Sequence, residues 1–590
     1  MGTENIILLG TYLFVIIGLF FKKYSPAAVF GIGAFILISS GQLSASELLS
    51  TLTTPSLLIL FLLLILAGTV QSRLGLSTLL LKYSKGKSQR GFLGVLLFPV
   101  ALLSSIVNNT AIVAMLIGPI RKWAQRNGYS PSTFLMPLAF AATAGGMITV
   151  IGTSTNLVLN GLLEENKFKI LHTADYILPG SISAITVILL MIFIAQKTII
   201  KRNLKQKESV REYLVETRVL PNGDHEGKSV QKAGLRQVHG LYLAEIIRNQ
   251  KIIAPVSPEE LLEADDRLFF AGALEEVREL IESNPGLALP QSELSQKTSE
   301  SSITEAMVPP GSNLVGLQIR NSEFRQRFDA AIIAIHRRGK LMQGRIGDNI
   351  LEAGDLLLII SGPRNKEIIQ TSKHLYGLNT TETNTPTKGL KRLLLIIGSI
   401  FSFVAYFLNI FDFLTLLLSL AATLAIAGWL TWEELKKHID LKLMVVLSCA
   451  VSFSQVLMDS GLIQDWISIL RSAYLNAGPF FWAILIFLIT SIITNLMTNI
   501  AAVALVFPLA AAIIGSADPS LIENTEYSKV IFLSLAFGAS NAFLTPIGYQ
   551  TNLMIMGPGG YQTKDYLRFG IPVTVVYSIC ILTYFYVLVS

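Results

Sequence analysis

The sequence predicts an α-helical membrane protein that crosses the bilayer several times and carries a polar insertion near its middle. Of its 590 residues, 51% are hydrophobic and only 15% are charged, whereas soluble proteins carry about a quarter charged residues. Apolar runs long enough to cross roughly 30 Å of hydrocarbon recur along the chain. Between about residues 200 and 390 the composition changes and charged residues become frequent. These observations together predict membrane-spanning halves on either side of the insertion.

Three other classes of protein are excluded by the same composition. The apolar content is too high for a disordered chain. The two cysteines, Cys449 and Cys580, both lie inside apolar runs, so a disulfide scaffold is not indicated. The net charge of +7 does not indicate a nucleic-acid partner, because the basic residues flank apolar runs, where membrane topology accounts for them.

The apolar runs define the predicted membrane elements in chain order. Two stretches, 91–121 and 477–515, are long but broken at their middles by small and polar residues, so we predict a re-entrant helical hairpin for each. The remaining runs, each predicted as a span, are 5–21, 25–41, 55–71, 131–160, 176–198, 391–409, 411–429, 442–460, 528–550 and 569–589.

The polar insertion contains an internal repeat. The heptapeptide LEADDRL at 262–268 recurs as LEAGDLL at 351–357, and a short apolar run ending at a glycine follows each copy. We therefore predict two small α+β domains, 208–285 and 300–372, joined and followed by polar linkers.

The distribution of Lys and Arg predicts the topology. Loops 42–54 and 515–528 contain neither residue, whereas Lys and Arg recur at 22–23, 82–90, 121–126, 197–202, 436–437 and 564–568. This distribution indicates that these basic segments face the cytoplasm. This places both termini outside the plasma (inner) membrane and residues 200–390 in the cytoplasm. Five spans and one hairpin then form each of membrane repeat 1 (1–200) and membrane repeat 2 (390–590). Because five is odd, the two repeats have opposite orientations, which is typical of secondary transporters.

Two short motifs occur in the same order in both halves. The first hairpin tip reads SSIVNNTA at 104–111, and the second reads TNLMTNIA at 494–501. Downstream, TVIGTSTNL at 149–157 matches TPIGYQTNL at 545–553, which share the pattern T-x-I-G-x-x-T-N-L. Small and polar residues in membrane helices often serve only packing, but the duplication favours a binding site.

These residue types suit ion binding inside a membrane. Interrupted helices free backbone carbonyls for a cation such as Na⁺, while freed helix N-termini suit an anion. No predicted span centre contains a clear Asp, Glu, Lys or Arg, and Asp459 lies near a span end. A proton-coupled antiporter would be expected to carry an intramembrane ionisable residue, so the sequence favours sodium coupling.

At these motifs the sequence resembles the divalent anion:sodium symporter family of the ion-transporter superfamily. Residues 108–110 (Asn-Asn-Thr) and 498–500 (Thr-Asn-Ile) look like the two Ser-Asn-Thr signatures of that family, and 152–156 looks like its Gly-Thr-Pro-Pro-Asn segment. The inserted domains look like paired TrkA C-terminal domains. A symporter that carries such domains between its halves resembles the sulfate-transporter branch of cyanobacteria and algae.

The resemblance implies an elevator-type transporter, often a homodimer, with two sodium sites and one anion site. The first sodium site would use Ser104, Asn108 and Asn109 with the backbone of Gly152. The second would use Thr494, Thr498 and Asn499 with the backbone of Gly548. The anion would lie between the tips, in contact with Asn109, Thr110, Thr153, Ser154 and Asn499.

Three departures from the family pattern bear on the substrate. Asn108 replaces the first Ser of one signature, Ile500 replaces the Thr of the other, and Ser-Thr (154–155) and Gln-Thr (550–551) stand at the Pro-Pro positions. Fewer hydroxyl donors fit a small tetrahedral oxyanion such as sulfate better than a dicarboxylate. Thiosulfate and molybdate present similar oxygens, so the residues do not separate them from sulfate.

Other functions stay open at this stage. A sodium-coupled dicarboxylate transporter is the alternative within the same class, and an anion channel gated by the cytoplasmic domains is the alternative from a different class. An enzyme is not expected, because the apolar segments contain no His, Cys–His pair or paired carboxylates. The inserted domains either bind a small effector or act as a dimerisation scaffold, and the basic run at 337–338 is either a solvated face or an effector site.

Overall fold

The computed structural model describes most of both halves and much of the insertion. Isolated positions apart, the described residues are 3–21, 26–52, 54–71, 88–198, 214–235, 242–249, 251–253, 256–271, 287–288, 303–338, 340–342, 346–361, 374–378, 397–402, 404–405, 410–432, 441–462, 478–515 and 525–590. Of the predicted elements, the run 391–409 and the two linkers lie wholly or partly outside these residues.

Nine helices are described in the first half. They are α1 (Thr3–Phe21), α2 (Pro26–Ser39), α3 (Ala45–Leu52), α4 (Pro55–Gln71), α5 (Gln89–Ser104), α6 (Asn109–Arg126), α7 (Ser132–Gly146), α8 (Ser154–Glu165) and α9 (Thr173–Thr198). Helices α5 and α6 meet at the first predicted hairpin tip. Four of these helices start at side chains that accept a hydrogen bond from a free backbone N–H, namely Ser44, Ser88, Asn108 and Thr153.

The insertion folds into two five-stranded antiparallel sheets with equivalent strand order. The first sheet contains β1 (Leu214–Val219), β2 (Tyr242–Arg248), β3 (Lys251–Ile253), β4 (Arg267–Ala271) and β5 (Leu287–Ala288) in the order β3-β2-β4-β1-β5. The second contains β6 (Ile303–Met307), β7 (Ala330–Arg337), β8 (Lys340–Leu341), β9 (Leu356–Ser361) and β10 (Tyr376–Gly377) in the order β10-β6-β9-β7-β8, with the short helix α10 (Phe324–Phe328) before β7.

The repeated heptapeptide has the same place in both sheets. Each copy forms the turn before the central strand, β4 or β9, and runs into that strand. The sheets reach residues 288 and 377, past the predicted domain ends at 285 and 372, because the last strand of each returns to pair with the first. Such a return depends on pairing between distant segments, which local sequence does not reveal.

Seven helices are described in the second half. They are α11 (Phe413–Ile426), α12 (Leu441–Asp459), α13 (Pro479–Leu496), α14 (Asn499–Gly515), α15 (Thr525–Ser540), α16 (Gln550–Gly559) and α17 (Thr563–Val589). The order of a helical hairpin, a helix, a break, a short helix and a long helix in α13–α17 repeats the order in α5–α9.

Two runs predicted as single spans are each divided into two helices. The run 131–160 forms α7 and α8 with a non-helical break between them, and 528–550 forms α15, a break and the start of α16. The first break follows Gly145-Gly146, and the second contains Pro546, residues that weaken a helix. Apolar content alone does not distinguish a continuous span from two half-helices.

Three of the described helices are long and apolar enough to cross a membrane by length and composition. They are Thr173–Ile194 within α9, Pro479–Leu496 (α13) and Thr563–Val589 (α17). The second arms of the two hairpins, α6 and α14, and the half-helices α8 and α16 are not among these three.

The short helix of each half packs against the other half. Helix α8 contacts α14 and α15, and α16 contacts α6 and α7. Each hairpin therefore faces the broken segment of the opposite half, and this exchange positions the candidate site.

Candidate functional site

The first hairpin tip brings two acceptor oxygens to one hydroxyl group, which makes a cluster of three oxygen atoms. Ser104, at the end of α5, lies fully buried, and Asn109, the first residue of α6, is 1% exposed. The Oγ of Ser104 lies within hydrogen-bond distance of both Oδ1 of Asn109 and the carbonyl oxygen of Ala142, the latter at 2.7 Å. A serine hydroxyl carries one proton, so it satisfies only one of these two acceptors.

The second tip has the same arrangement. The Oγ1 of Thr494 lies 2.8 Å from Oδ1 of Asn499 and 2.5 Å from the carbonyl oxygen of Ala539. Both side chains are buried. Thr494 and Asn499 thus reproduce Ser104 and Asn109, again with three oxygens and one proton.

The broken segments are attached to the tips by equivalent hydrogen bonds. Thr149 donates its hydroxyl to the carbonyl of Ser105, and Thr545 donates to the carbonyl of Asn495 at 2.7 Å. Each threonine hydroxyl also accepts a bond of 3.0 Å from the N–H of the glycine three residues later. The shared Thr and Gly of the T-x-I-G-x-x-T-N-L pattern therefore hold each break against its own tip.

The glycines of the pattern lie directly on the oxygen clusters. A Cβ on Gly152 would lie 2.8 Å from the carbonyl oxygen of Ser104 and 2.5 Å from that of Gly146. A Cβ on Gly548 would lie 3.1 Å from the carbonyl oxygen of Thr494. Only glycine allows the first of these backbone approaches, and the second is nearly as close.

The asparagines that end the pattern brace the breaks. Asn156 donates from Nδ2 to the carbonyl of Thr149 at 3.0 Å, and Asn552 donates to the carbonyls of Ala542 and Thr545 at 2.7 and 3.2 Å. They do not cap α8 and α16 with their side chains. Instead, Thr153 caps α8 through a bond of 3.4 Å from the N–H of Thr155.

The donor sets of the two tips fit a hard cation. Each cluster offers a hydroxyl, an amide oxygen and a carbonyl that share one proton. The backbone carbonyl of the hydroxyl residue also lies close to the glycine that the pattern repeats in both halves. Carbonyl and side-chain oxygens freed at helix breaks are the ligands that transporters use for Na⁺. Groups of at least three His, Cys, Asp or Glu side chains, which would suit other metals, do not occur among the described residues.

The two remaining predicted sodium ligands have other partners. Asn108 accepts from the N–H of Thr110 at 2.9 Å, and Thr498 accepts from the N–H of Ala501 at 3.3 Å. Both side chains therefore serve as caps of the helices that begin at the tips. The structure brings Ser104, Asn109 and Gly152 together, and likewise Thr494, Asn499 and Gly548, without Asn108 or Thr498 in these hydrogen-bonded clusters.

The first tip contacts two residues that the sequence reasoning did not identify. Nδ2 of Asn109 donates to the hydroxyl of Tyr549 at 2.7 Å, and the hydroxyl of Thr110 donates to Oε1 of Gln550 at 3.2 Å. The Thr153 side chain is also hydrogen-bonded to Tyr549. Tyr549 and Gln550 fill the two variable positions after the glycine of the T-x-I-G-x-x-T-N-L pattern, where the first half has Thr153 and Ser154. Because Thr153 and Ser154 were predicted to contact the anion, this correspondence could have identified Tyr549 and Gln550 as site residues.

The second tip differs from the first in one respect. Nδ2 of Asn499 is buried and has no hydrogen-bond partner among the described residues, whereas Nδ2 of Asn109 is engaged. A buried donor without an acceptor is costly, and an anion oxygen would satisfy it. The segments 104–111, 147–156, 494–501 and 541–552 contain no Asp, Glu, Lys or Arg, so the site consists of neutral donors and acceptors.

The charged side chains of the inserted sheets form structural ion pairs. Arg248 binds Asp266 through Nε and Nη2 at 2.9 and 2.8 Å, and Arg337 binds Asp355 in the same way at 2.8 Å for both contacts. The hydrogen bonds that these carboxylates accept raise the pKa of both guanidinium groups. Asp266 and Asp355 are buried, and the Arg337 guanidinium forms this ion pair.

The chain matches one family model and is similar to several known proteins. A family model described as a citrate transporter matches residues 12–523. A putative sulfur deprivation response regulator of Chlamydomonas reinhardtii is 30% identical over 570 residues, which cover 92% of this chain and 94% of that protein. Sodium/sulfate cotransporter 1 of the same organism is 30% identical over 352 residues, which cover 54% of this chain and 39% of that protein.

Among solved structures, the YdaH transporter of Alcanivorax borkumensis aligns over 99% of this chain and 98% of its own chain. The sequence identity is 12% and the TM-score is 0.41.

Proposed function

The chain belongs to the citrate transporter family, and on that premise we propose that it is a sodium-coupled symporter of a small divalent oxyanion, with sulfate as the main substrate. Membership of this family makes the chain an integral membrane transporter and not an enzyme. The family lies in the ion-transporter superfamily that the sequence motifs indicate. The family is named for citrate, whereas relatives that match about half of this chain are named for sodium and sulfate.

The observation that carries the proposal is the pair of matching oxygen clusters at the two tips. In each cluster one hydroxyl proton faces two acceptors, at Ser104 in the first half and Thr494 in the second. A Na⁺ ion at each cluster would satisfy the surplus oxygens. Two such ions carry the charge that balances one divalent anion, in segments that contain no charged side chain.

The asparagine of each tip explains how the cation and the anion are coupled. Oδ1 of Asn109 and of Asn499 faces the hydroxyl of its own cluster, so Nδ2 of the same side chain faces away from the cation. A Na⁺ at Oδ1 would polarise the amide and strengthen Nδ2 as a donor to an anion. We place the anion between the tips, with Nδ2 of Asn499, which has no hydrogen-bond partner among the described residues, as its donor. Asn109, Thr110, Thr153 and Ser154 line the site on the side where Tyr549 and Gln550 accept the hydrogen bonds of Asn109 and Thr110.

Two ion pairs support the proposed topology. Arg121, near the end of α6, pairs with Glu305 of the insertion, and Lys529, near the start of α15, lies 3.1 Å from Asp175 at the start of α9. The predicted topology places both partners of the first pair on the cytoplasmic side and both partners of the second pair on the outer side. Each pair therefore joins segments that are predicted to lie on the same side of the membrane. We propose that residues 200–390 are cytoplasmic, that both termini lie outside the plasma (inner) membrane, and that the repeats have opposite orientations.

The assembly and the regulation of the transporter are part of the same proposal. We propose an elevator movement of the two hairpins and half-helices, and a homodimer. The insertion resembles paired TrkA C-terminal domains and would bind a small effector or support dimerisation. The recurrence of one strand order in both sheets supports a duplicated module.

The test is uptake of radiolabelled sulfate into proteoliposomes, with and without an inward sodium gradient, and with excess succinate or citrate as competitor. Sodium-dependent sulfate uptake that succinate does not inhibit supports the proposal. Sodium-dependent uptake of succinate or citrate without sulfate uptake would replace the substrate. A sulfate current that does not depend on sodium would favour a channel and overturn the coupling.

A further inference from the structure

We propose that Tyr549 and Gln550 are specificity-determining residues that reserve the site for a compact anion. This inference rests on the proposed function, because it concerns the selectivity of the same site. The two residues come from the second half, yet their polar atoms occupy the donors of the first tip. They thereby withhold those donors from a long substrate with a charged group at each end.

The two hydrogen bonds join two consecutive residues of the first half to two consecutive residues of the second half. Asn109 and Thr110 are the first two residues of α6, while Tyr549 precedes α16 and Gln550 begins it. The bonds are 2.7 Å for Asn109 to Tyr549 and 3.2 Å for Thr110 to Gln550. Because α16 packs on α6 and α7, the pair of contacts is supported by the helix packing behind it.

The two acceptors resemble the oxygens of a bound anion. The hydroxyl oxygen of Tyr549 accepts from the Asn109 amide, and Oε1 of Gln550 accepts from the Thr110 hydroxyl, at the N-terminus of α6. Helix N-termini with free donors are sites where anions bind. The protein's own oxygens therefore take the place that one carboxylate of a dicarboxylate would need at this tip.

The opposite tip is left for the substrate. Asn499 is 4% exposed, and its Nδ2 lacks a hydrogen-bond partner among the described residues. A tetrahedral oxyanion has one charged centre, so it can bind at Asn499 while Tyr549 and Gln550 stay in place. A dicarboxylate has two charged ends, and its second end would have to displace Tyr549 from Asn109.

Displacement carries a penalty because it leaves the Tyr549 hydroxyl without its bond to Asn109. The loss of one hydrogen bond at a buried site corresponds to roughly tenfold in binding. Selectivity for a compact anion therefore depends on the side chains of Tyr549 and Gln550, although neither side chain needs to contact the anion.

The experiment compares sulfate uptake and its inhibition by succinate in Tyr549→Phe and Gln550→Leu proteoliposomes. Tyr549→Phe keeps the ring and frees the Asn109 amide, and Gln550→Leu changes an exposed side chain, which folding should tolerate. We expect sodium-dependent sulfate uptake to persist, with the succinate concentration for half-inhibition lowered about tenfold in Tyr549→Phe. The reduction should be smaller in Gln550→Leu, because the hydrogen bond between Thr110 and Gln550 is exposed. Tyr586→Phe, which removes an exposed tyrosine hydroxyl near the end of α17, is the matched control.

The ratio of sulfate affinity to succinate affinity is the decisive readout, since a general structural defect lowers uptake of both. An unchanged ratio in both variants, with wild-type sulfate uptake intact, would overturn this inference alone. Absence of sulfate uptake by the wild-type protein would instead overturn the proposed function.

Discussion

The guanidinium group of Arg121 in α6 forms a buried salt bridge with the carboxylate of Glu305 in β6, and Nη1 lies 2.5 Å from Oε2. The side chains are 6% and 18% exposed. Close backbone approaches accompany the pair, since a Cβ on Gly118 would lie 2.5 Å from the carbonyl oxygen of Leu378. The second sheet of the insertion is therefore docked on the hairpin that carries the first tip.

Breaking this salt bridge should destabilise the protein. Removal of one partner of a buried ion pair costs about 3 kcal/mol or more, because the other charge stays buried. Glu305→Gln and Arg121→Met should each lower the thermal unfolding temperature of the purified transporter. The exchange Arg121→Glu with Glu305→Arg should recover part of the loss, and equal loss in the single and exchanged variants would refute a specific pair.

The two pattern glycines should differ in their sensitivity to substitution. Gly152→Ala places a Cβ 2.5 Å from the carbonyl oxygen of Gly146, whereas Gly548→Ala meets its nearest atom at 3.1 Å. We expect Gly152→Ala to abolish sodium-dependent uptake and Gly548→Ala to reduce it. Gly94→Ala in α5, where a Cβ meets nothing within 4 Å, is the control, and equal uptake in all three variants would contradict this account of the clusters.

Asparagine-to-aspartate changes should separate cation binding from anion transport. Asn499→Asp keeps an oxygen for the cation but replaces the Nδ2 donor with a negative charge. We expect stabilisation by sodium in a thermal-shift assay to persist while sulfate uptake is lost, and the same for Asn109→Asp. Asn109→Ala and Asn499→Ala should lose both properties, with normal uptake in either alanine variant counting against the assignment. Asn127→Ala, at the C-terminal cap of α6, is the control.

The first inserted sheet should be sensitive to mild acid through His225. Burial, reinforced by Lys228, lowers the pKa of this histidine, whereas Asp224 acts in the opposite direction. Neither ring nitrogen has a hydrogen-bond partner among the described residues. Because the folded state binds the proton less tightly than the unfolded state, stability should fall as the pH drops below about 6.5, the ordinary histidine value.

Hydrogen–deuterium exchange over residues 214–235, compared at pH 7.5 and 5.5, measures this effect after correction for intrinsic exchange rates. Faster opening at pH 5.5 that His225→Phe removes is the expected result. The same pH dependence in His225→Phe would assign it to other groups.

Much of the organisation was predictable because it depends on local composition. The membrane class follows from long apolar runs, and the family match supports it. The tips could be located because Ser, Thr and Asn interrupt the apolar sequence at 104–111, as Thr and Asn do at 494–501. The repeat in the insertion could be found because similar residues, 262–268 and 351–357, form the turn with a buried aspartate before the central strand of each sheet.

The sequence by itself determined where the two hairpin tips lie and which oxygens and amides are available there. Only the tertiary structure decided which of them meet, because contacts such as Asn109 with Tyr549 join residues 440 positions apart. The same holds for Arg121 and Glu305, since an ion pair depends on two surfaces docking and leaves no periodic trace in either segment. Local pattern fixes conformation within a few residues, whereas packing between the exchanged half-helices sets the distances on which binding depends.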